Sequence, residues 1–302
     1  MSSITSTLNV SRSESTQPPI RDFVSLTKPR LSLMSVATAV LGYFAAGPEL
    51  RLEVFFSLLT GTALAAFGAA VLNQWWEREA DARMLRTADR PVADGRMAPV
   101  VALVYGLILS VLGVALLWAQ VGWLPAALTL ATILLYVLAY TPLKRRSAWA
   151  TEVGAIPGAL PPLIGWVAAG GGFSAMGWAL FAVLFAWQIP HFMAISWNFR
   201  DDYQRGGFAM LSLQDPSGKR VGRRSVLWTV VLIAVSLYPL VHPQVGWFLG
   251  VSAVLLGLMM LWPACQFWLG SQRNLAARRL FFASLIYLPF YLGALVADQF
   301  FL

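Results

Sequence analysis

The sequence predicts an all-α, polytopic membrane protein with nine transmembrane helices. Three observations carry this. Of 302 residues, 58% are hydrophobic and only 12% charged, where a soluble domain carries about 25% charged residues; mean hydropathy is +0.66. The stretches 98–143, 153–199 and 225–272 contain no Asp, Glu, Lys or Arg. With spans placed accordingly, every Lys and Arg except Arg51 falls on one side, the asymmetry that marks the inner face of a membrane.

The elements follow in order. Residues 1–26 are polar and rich in Ser and Thr, without the apolar core of a cleavable signal peptide. They read as a disordered cytoplasmic tail ahead of a single membrane domain, 27–302. A spanning helix needs about 20 mostly apolar residues. Segments 31–47 and 54–76 form a first pair, split by the polar stretch around Arg51. Each charge-free stretch then holds two helices and a tight turn, at 120–125, 170–174 and 242–246, where Gly and Pro gather. The ninth helix occupies about 280–297. The basic side holds the N-terminus, so the N-terminus is expected in the cytoplasm and the C-terminus outside, in a bacterial inner membrane.

Composition narrows the chemistry. Cys265 is the only cysteine, which excludes an internal disulfide and a thiolate metal cage. The two histidines, His191 and His242, argue against a poly-His metal site, and His242, beside Pro243 in an outer turn, has no expected role. The net charge of +8 lies in the loops that set topology, and no nucleic-acid partner is expected.

The second span ends in Asn73, Glu77 and Asp81, at steps of four. On a helix these residues stand about 6 Å apart and drift about 40° per step, so they share one face. Oxygen ligands so placed suit Mg²⁺, which takes one or two carboxylates plus substrate phosphates. Arg86 and Arg90 follow, and guanidinium forks fit phosphate oxygens. Together they read as a diphosphate–Mg²⁺ site. On spacing alone, a solvated loop that enforces topology explains these residues equally well.

A second polar cluster lies on the same side. Pro190 and His191 sit near the end of the sixth span, Asp201 and Asp202 follow, and Gly206-Gly207 breaks the helix. Tyr140, Lys144 and Arg145 close the fourth span within reach of the same region, where a lysine point charge and an arginine fork could steady a leaving anion. A topology-setting basic triplet explains 144–146 as well. Gly158 and Gly165, flanking Pro161-Pro162, permit close helix packing or a kink.

Taken together these motifs resemble the UbiA superfamily of intramembrane aromatic prenyltransferases, and within it the haem-farnesylating branch. The N-x-x-x-D/E-x-x-x-D motif is Asn73, Glu77 and Asp81, followed by Arg86-Thr87 and Arg90-Pro91. The family's Y-T-P-L-K-R is 140–145, and its G-x-x-P-P-x-x-G is 158–165. The W-Q-x-P-H-F that marks the haem branch is 187–192, and D-Y-x-x-G-G-x-x-M-L is 202–211. T-K-P-R stands at 27–30. One departure is Asn198, where many superfamily members carry the first Asp of a second D-x-x-x-D; it leaves open whether one Mg²⁺ or two bind.

The resemblance implies a bundle around a lipid-open cavity, with the head of farnesyl diphosphate at the cytoplasmic acids and its tail among apolar helices. It implies Asn73, Glu77, Asp81 and Asp202 as metal ligands. Lys144, Arg145 and Arg90 would neutralise the leaving diphosphate, with Lys28, Arg30, Arg86, Tyr140 and Asp201 among further substrate contacts. Haem B would be the second substrate and haem O the product. Trp187 would shield the allylic cation, and His191 would touch a haem propionate or the iron; a core histidine with a satisfied hydrogen bond explains His191 equally well. Membrane lipid, and haem A synthase or a terminal oxidase assembly, are the expected partners.

Three rival readings remain. A prenyltransferase acting on 4-hydroxybenzoate or a chlorophyllide would carry a second Asp-rich motif in place of W-Q-x-P-H-F. A transporter would place charges or broken helices near the bilayer midplane. A non-catalytic haem-handling factor would bind haem without transfer.

Overall fold

The computed structural model describes residues 19–47, 49–241 and 245–301. Among them there is no strand; the chain is a bundle of helices. Residues 1–18, and with them most of the expected tail, lie outside the described residues, as does His242.

The last part of that expected tail is ordered. Ile20–Leu26 forms a short helix, α1. Its Asp22 is buried and pairs with Arg96 Nε at 3.3 Å, and the Leu26 carbonyl accepts from Gln74 Nε2. These ties fasten α1 to the rest of the bundle, which a composition rich in Ser and Thr did not reveal.

The long helices follow: α2 (Pro29–Ala45), α3 (Leu52–Asp81), α4 (Pro99–Gln120), α5 (Trp123–Leu143), α6 (Ala150–Ala168), α7 (Ala175–Asn198), the short α8 (Arg200–Arg205), α9 (Lys219–Ser236), α10 (Trp247–Leu269) and α11 (Arg273–Phe301). Starts follow local rules. Proline occupies the first helical position of α2 and α4, where its missing N–H costs nothing. Ser174 caps α7 by accepting from the Gly177 N–H.

Seven helices among the described residues are long and apolar enough to cross a membrane: α3, α4, α5, α7, α9 with its following turn, α10 and α11. The protein is a multi-pass membrane protein. On that measure the expected nine spans become seven. The other two exist as helices but fall short: α2 has only 17 residues, and α6 carries Glu152 and three prolines within 19 residues. They pack on each other backbone to backbone. A Cβ on Gly165 would lie 1.7 Å from the Ala39 carbonyl oxygen, and one on Gly42 would lie 2.1 Å from that of Pro162. Small residues allow this approach, which is how helices associate where apolar contact with lipid is equally good. Gly165→Val should therefore force α2 and α6 apart, at or above the upper end of the about 1–3 kcal/mol that overpacking costs. The fraction of monodisperse protein in detergent measures this; an unchanged melting temperature would mean the two helices yield freely.

Within α5, residues Leu135–Tyr140 wind as a π-helix, a widened turn that frequently marks functional sites. It lies one turn before Lys144, with Thr141–Leu143 between them. Exposed Leu107, Val111 and Trp118 on α4 form part of an apolar outer surface.

Candidate active site

α3 outruns the membrane. Its 30 residues reach about 45 Å at 1.5 Å per residue, against a hydrocarbon core of about 30 Å. Its last turns carry Asn73, Glu77 and Asp81, all three buried. Buried acids require partners, and each of the three polar side chains finds one: Asp81 from the loop that follows α3, Asn73 and Glu77 from distant segments.

Asn73 is held from two sides. Lys28 Nζ donates to its Oδ1 at 3.1 Å, and its Nδ2 donates to Thr141 Oγ1 at 3.1 Å. Thr141 in turn donates to the Tyr136 carbonyl in the π-helical turn. Lys28 sits in the left-handed region at φ +45°, where a non-glycine residue is strained; the strain is tolerated where an ammonium is aimed at Asn73. Burial, then the nearby Arg90, push the Lys28 ammonium down to about 7, with Glu77 and Asp81 pulling the other way. An anion arriving there would favour its charged form.

Glu77 forms an ion pair with Lys144, and both side chains are almost enclosed. The Lys144 ammonium lies over the rings of Tyr140 (4.9 Å) and Phe208 (5.3 Å). Burial is the largest influence and works against its charge, but the charge and hydrogen bond of Glu77, with Tyr136 and Tyr203, together outweigh it and raise Lys144 above the usual lysine range. Asp81 Oδ2 pairs with Arg90 Nη1 at 2.6 Å, and its backbone carbonyl accepts from Thr87 Oγ1 at 3.0 Å. Asp81 Oδ1 is buried without a hydrogen-bond partner.

The second cluster braces the first. Asp202 Oδ1 accepts from the Leu85 N–H at 3.2 Å and from Arg205 Nη1 at 2.7 Å. It therefore ties down the arginine-bearing loop after α3. Arg86 is exposed, its guanidinium over Phe199 at 5.0 Å and Tyr203 at 5.8 Å. The Gly206-Gly207 turn, with Gly207 at φ +71°, brings Phe208 onto Lys144, and the Ala209 N–H donates to the Lys144 carbonyl at 2.7 Å.

Seven of the residues singled out from sequence thus meet in one place: Lys28, Asn73, Glu77, Asp81, Arg90, Tyr140 and Lys144. Asp202 is used by the loop, and among the described residues no three of His, Cys, Asp and Glu gather into a metal-binding group. Arg30, Arg145 and Asp201 are exposed and enter none of these contacts. Trp187 and His191 lie on α7 against α11 instead. Sequence reasoning missed Thr141, Leu85 and Phe208. Thr141 was legible inside the quoted 140–145 motif; the others act through a main-chain N–H and a packed ring, which no spacing announces.

The residues present fit a divalent cation. Glu77 and Asp81 are buried carboxylates, and Asp81 Oδ1 is left without a donor. Two carboxylates with an amide oxygen are what Mg²⁺ accepts when phosphates supply the remainder. Below them a cavity of about 200 Å³ begins at Lys28 and runs between α2, α3, α5 and α6, past Ala69, Ala66 and Thr62 of α3, with Tyr136 and Ile133 opposite. Small residues on α3 create this room. The arrangement joins an anion-binding, cation-binding head site to an apolar slot, which suits an amphiphile with a charged head.

Comparison with known proteins agrees with this geometry. The model of the UbiA prenyltransferase family matches residues 35–286. A protein named protoheme IX farnesyltransferase from Opitutus terrae is 50% identical over 281 residues, covering 93% of this chain and 95% of the relative. One of the same name from Solibacter usitatus is 40% identical over 291 residues, covering 93% and 99%. Among solved structures, one described as a digeranylgeranylglyceryl phosphate synthase has a TM-score of 0.79 at 15% identity, covering 94% of this chain and 99% of that one. A UbiA homolog from Archaeoglobus fulgidus bound to GPP and Mg²⁺ has a TM-score of 0.62 at 13% identity, covering 91% and 99%; at such identities these two speak for the fold. With the family's model matched over most of its length and relatives at 40–50% identity, the chain belongs to the UbiA prenyltransferase family, and it is an enzyme that transfers prenyl groups.

Proposed function

We propose that the chain converts haem B to haem O, transferring the farnesyl group of farnesyl diphosphate to a haem vinyl group with addition of water. The observation that carries this is the pairing of buried acids with cations, Glu77 with Lys144 and Asp81 with Arg90, on the same helix face as Asn73, whose partner Lys28 lines an apolar cavity. The haem acceptor rests on the names of the relatives and on the 187–192 motif.

Bound Mg²⁺, held by Asn73, Glu77 and Asp81, would supply charge stabilisation to the diphosphate. Lys28, Arg90 and Lys144 bind the same oxygens and hold the C1–O bond at the cavity mouth, where developing negative charge meets fixed positive charge. The C1–O bond breaks with its electron pair going to the diphosphate. The terminal vinyl carbon bonds to C1, and the cation left beside the porphyrin is captured by water, which gives up a proton. Tyr136 and Tyr140 exclude bulk water from the head of the cavity. Asp202 serves by fixing the loop that carries Arg86 and Arg90, and Arg30, Arg145 and Asp201 act as outer contacts for the incoming anion. The membrane is a bacterial inner membrane with the N-terminus and the basic loops in the cytoplasm, residues 27–302 form the single catalytic domain after a short tail, and the lipophilic product passes to haem A synthase or a terminal oxidase assembly.

Membranes containing the chain, given haem B, farnesyl diphosphate and Mg²⁺, should yield extracted haem heavier by farnesyl plus water. Unmodified haem alongside a prenylated aromatic acid would overturn the acceptor and leave the family standing. The cavity also makes a chain-length prediction. Ala66→Phe fills the slot partway down α3, so the ratio of kcat/KM for geranyl over farnesyl diphosphate should rise about tenfold or more, a difference of one or two kcal/mol in an apolar pocket. An unchanged ratio would place the prenyl tail elsewhere.

A further inference from the structure

We infer that His191 binds the iron of the haem substrate through Nε2, and that Ser284 of α11 is the positioning residue that sets the imidazole for it. This rests on the haem reading above. His191 Nδ1 lies 2.7 Å from Ser284 Oγ. Ser284 Oγ is also 2.6 Å from the Phe281 carbonyl. A carbonyl only accepts, so the serine proton goes to Phe281, and Oγ has only a lone pair left for His191. The imidazole must therefore carry its proton on Nδ1 and donate it to Ser284. Nε2 is left as a bare lone pair.

Nothing among the described residues consumes that lone pair. Nε2 makes no hydrogen bond among the described residues, and it is not among the sealed polar atoms that lack one. The residue as a whole is buried. Its ring is stacked on Trp187 (centroids 4.8 Å, 19° between planes) and on Phe281 (5.3 Å, 26°). Stacking engages the faces, and Phe192 packs against the ring nearly perpendicular (5.4 Å, 72°); Nε2 itself is not sealed off, and a metal is bound in the ring plane through such a nitrogen. The mount is stiff: Trp187, one turn before His191, donates its Nε1–H to the Ser284 carbonyl at 2.8 Å. Two successive turns of α7 thus lock onto one residue of α11.

The tautomer separates the two roles open to His191. A propionate is an acceptor and needs an N–H, which Nε2 does not offer. An imidazolium would offer one, but before a propionate arrived its second proton would be a buried donor without an acceptor among the described residues, a costly arrangement, so the resting site presents a lone pair and not an N–H. Iron needs a lone pair held in a fixed orientation by a hydrogen bond at the other nitrogen, the usual support for a metal-ligating histidine. The site offers that.

The test uses the purified full chain in nanodiscs with haem B and no prenyl diphosphate. Resonance Raman of the ferrous complex should show an iron–histidine stretch. His191→Ala should lose it and free imidazole should restore it. Ser284→Ala should shift its frequency and weaken haem binding about tenfold, the scale for losing such support, while Ser284→Thr, which keeps the hydroxyl, should return both to normal. A stretch that survives in His191→Ala overturns the inference, as does a spectrum indifferent to Ser284→Ala. Extracted haem from the same preparations, supplied with farnesyl diphosphate and Mg²⁺, keeps the two readings apart. Farnesylated haem with no dependence of the spectrum on His191 removes the inference alone. No farnesylation and no haem binding by folded wild-type protein remove both.

Discussion

Asp81→Ala should reduce prenyl transfer on the order of 10³-fold, the scale of removing one preorganised charge group from a reacting centre. The two oxygens of Asp81 have different fates: Oδ2 holds Arg90 at 2.6 Å, while Oδ1 is buried and unpartnered among the described residues. In the proposed site, removing it would delete a cation-binding oxygen and free the arginine that would face the diphosphate. Asp81→Asn keeps the shape but offers one carbonyl oxygen and no charge, so it should fall nearly as far. The Arg90 side chain is 23% exposed, so water takes over part of its solvation and the fold should survive both changes. Conversion of haem in membranes, with folded yield measured alongside, reads the result. Activity within twofold of wild type in Asp81→Asn would remove this residue from the metal and diphosphate site.

The second large effect separates stability from chemistry. In the Glu77–Lys144 pair both side chains are nearly closed off, 6% and 10% exposed. Lys144→Met strands the Glu77 carboxylate, and breaking a buried pair from one side costs about 3–5 kcal/mol. In the proposed site it also removes a cation from the diphosphate, for a further expected loss of about 10²–10³-fold in activity. Glu77→Gln combined with Lys144→Met removes both charges together. The double variant should recover most of the lost stability, a coupling that a mutant cycle reads directly, yet stay inactive. Recovery of both would show the pair to be structural only; recovery of neither would mean the buried pair is not what couples them.

Much of the architecture was legible in the chain. Apolar length and the one-sided distribution of Lys and Arg fixed which segments are helical and which loops share a face, because both signals are local and add along the sequence. α2 and α6 were the exceptions. Their sequences look like spans, but one is short and the other is broken by Glu152 and three prolines; what holds them is mutual contact at Gly42 and Gly165, a property of a pair. Likewise α1 looked like tail because its one buried acid, Asp22, finds its partner in Arg96, far along the chain.

The site divides in the same way. That Asn73, Glu77 and Asp81 share a helix face is decided by spacing alone, since helical pitch is local. That Glu77 takes Lys144, Asp81 takes Arg90 and Asn73 takes Lys28 was decided only by folding. Asp201 and Asp202 are neighbours of one chemistry, yet one is exposed and the other anchors the Leu85 N–H, and no pattern in the chain distinguishes them. Sequence by itself determined the helical segments, an expected orientation and the face on which chemistry is possible, because hydropathy, charge and helical period are read over a few residues. Only the tertiary structure decided which acid meets which cation, and which nitrogen of His191 is free, because those depend on contacts between residues far apart in the chain and close in space.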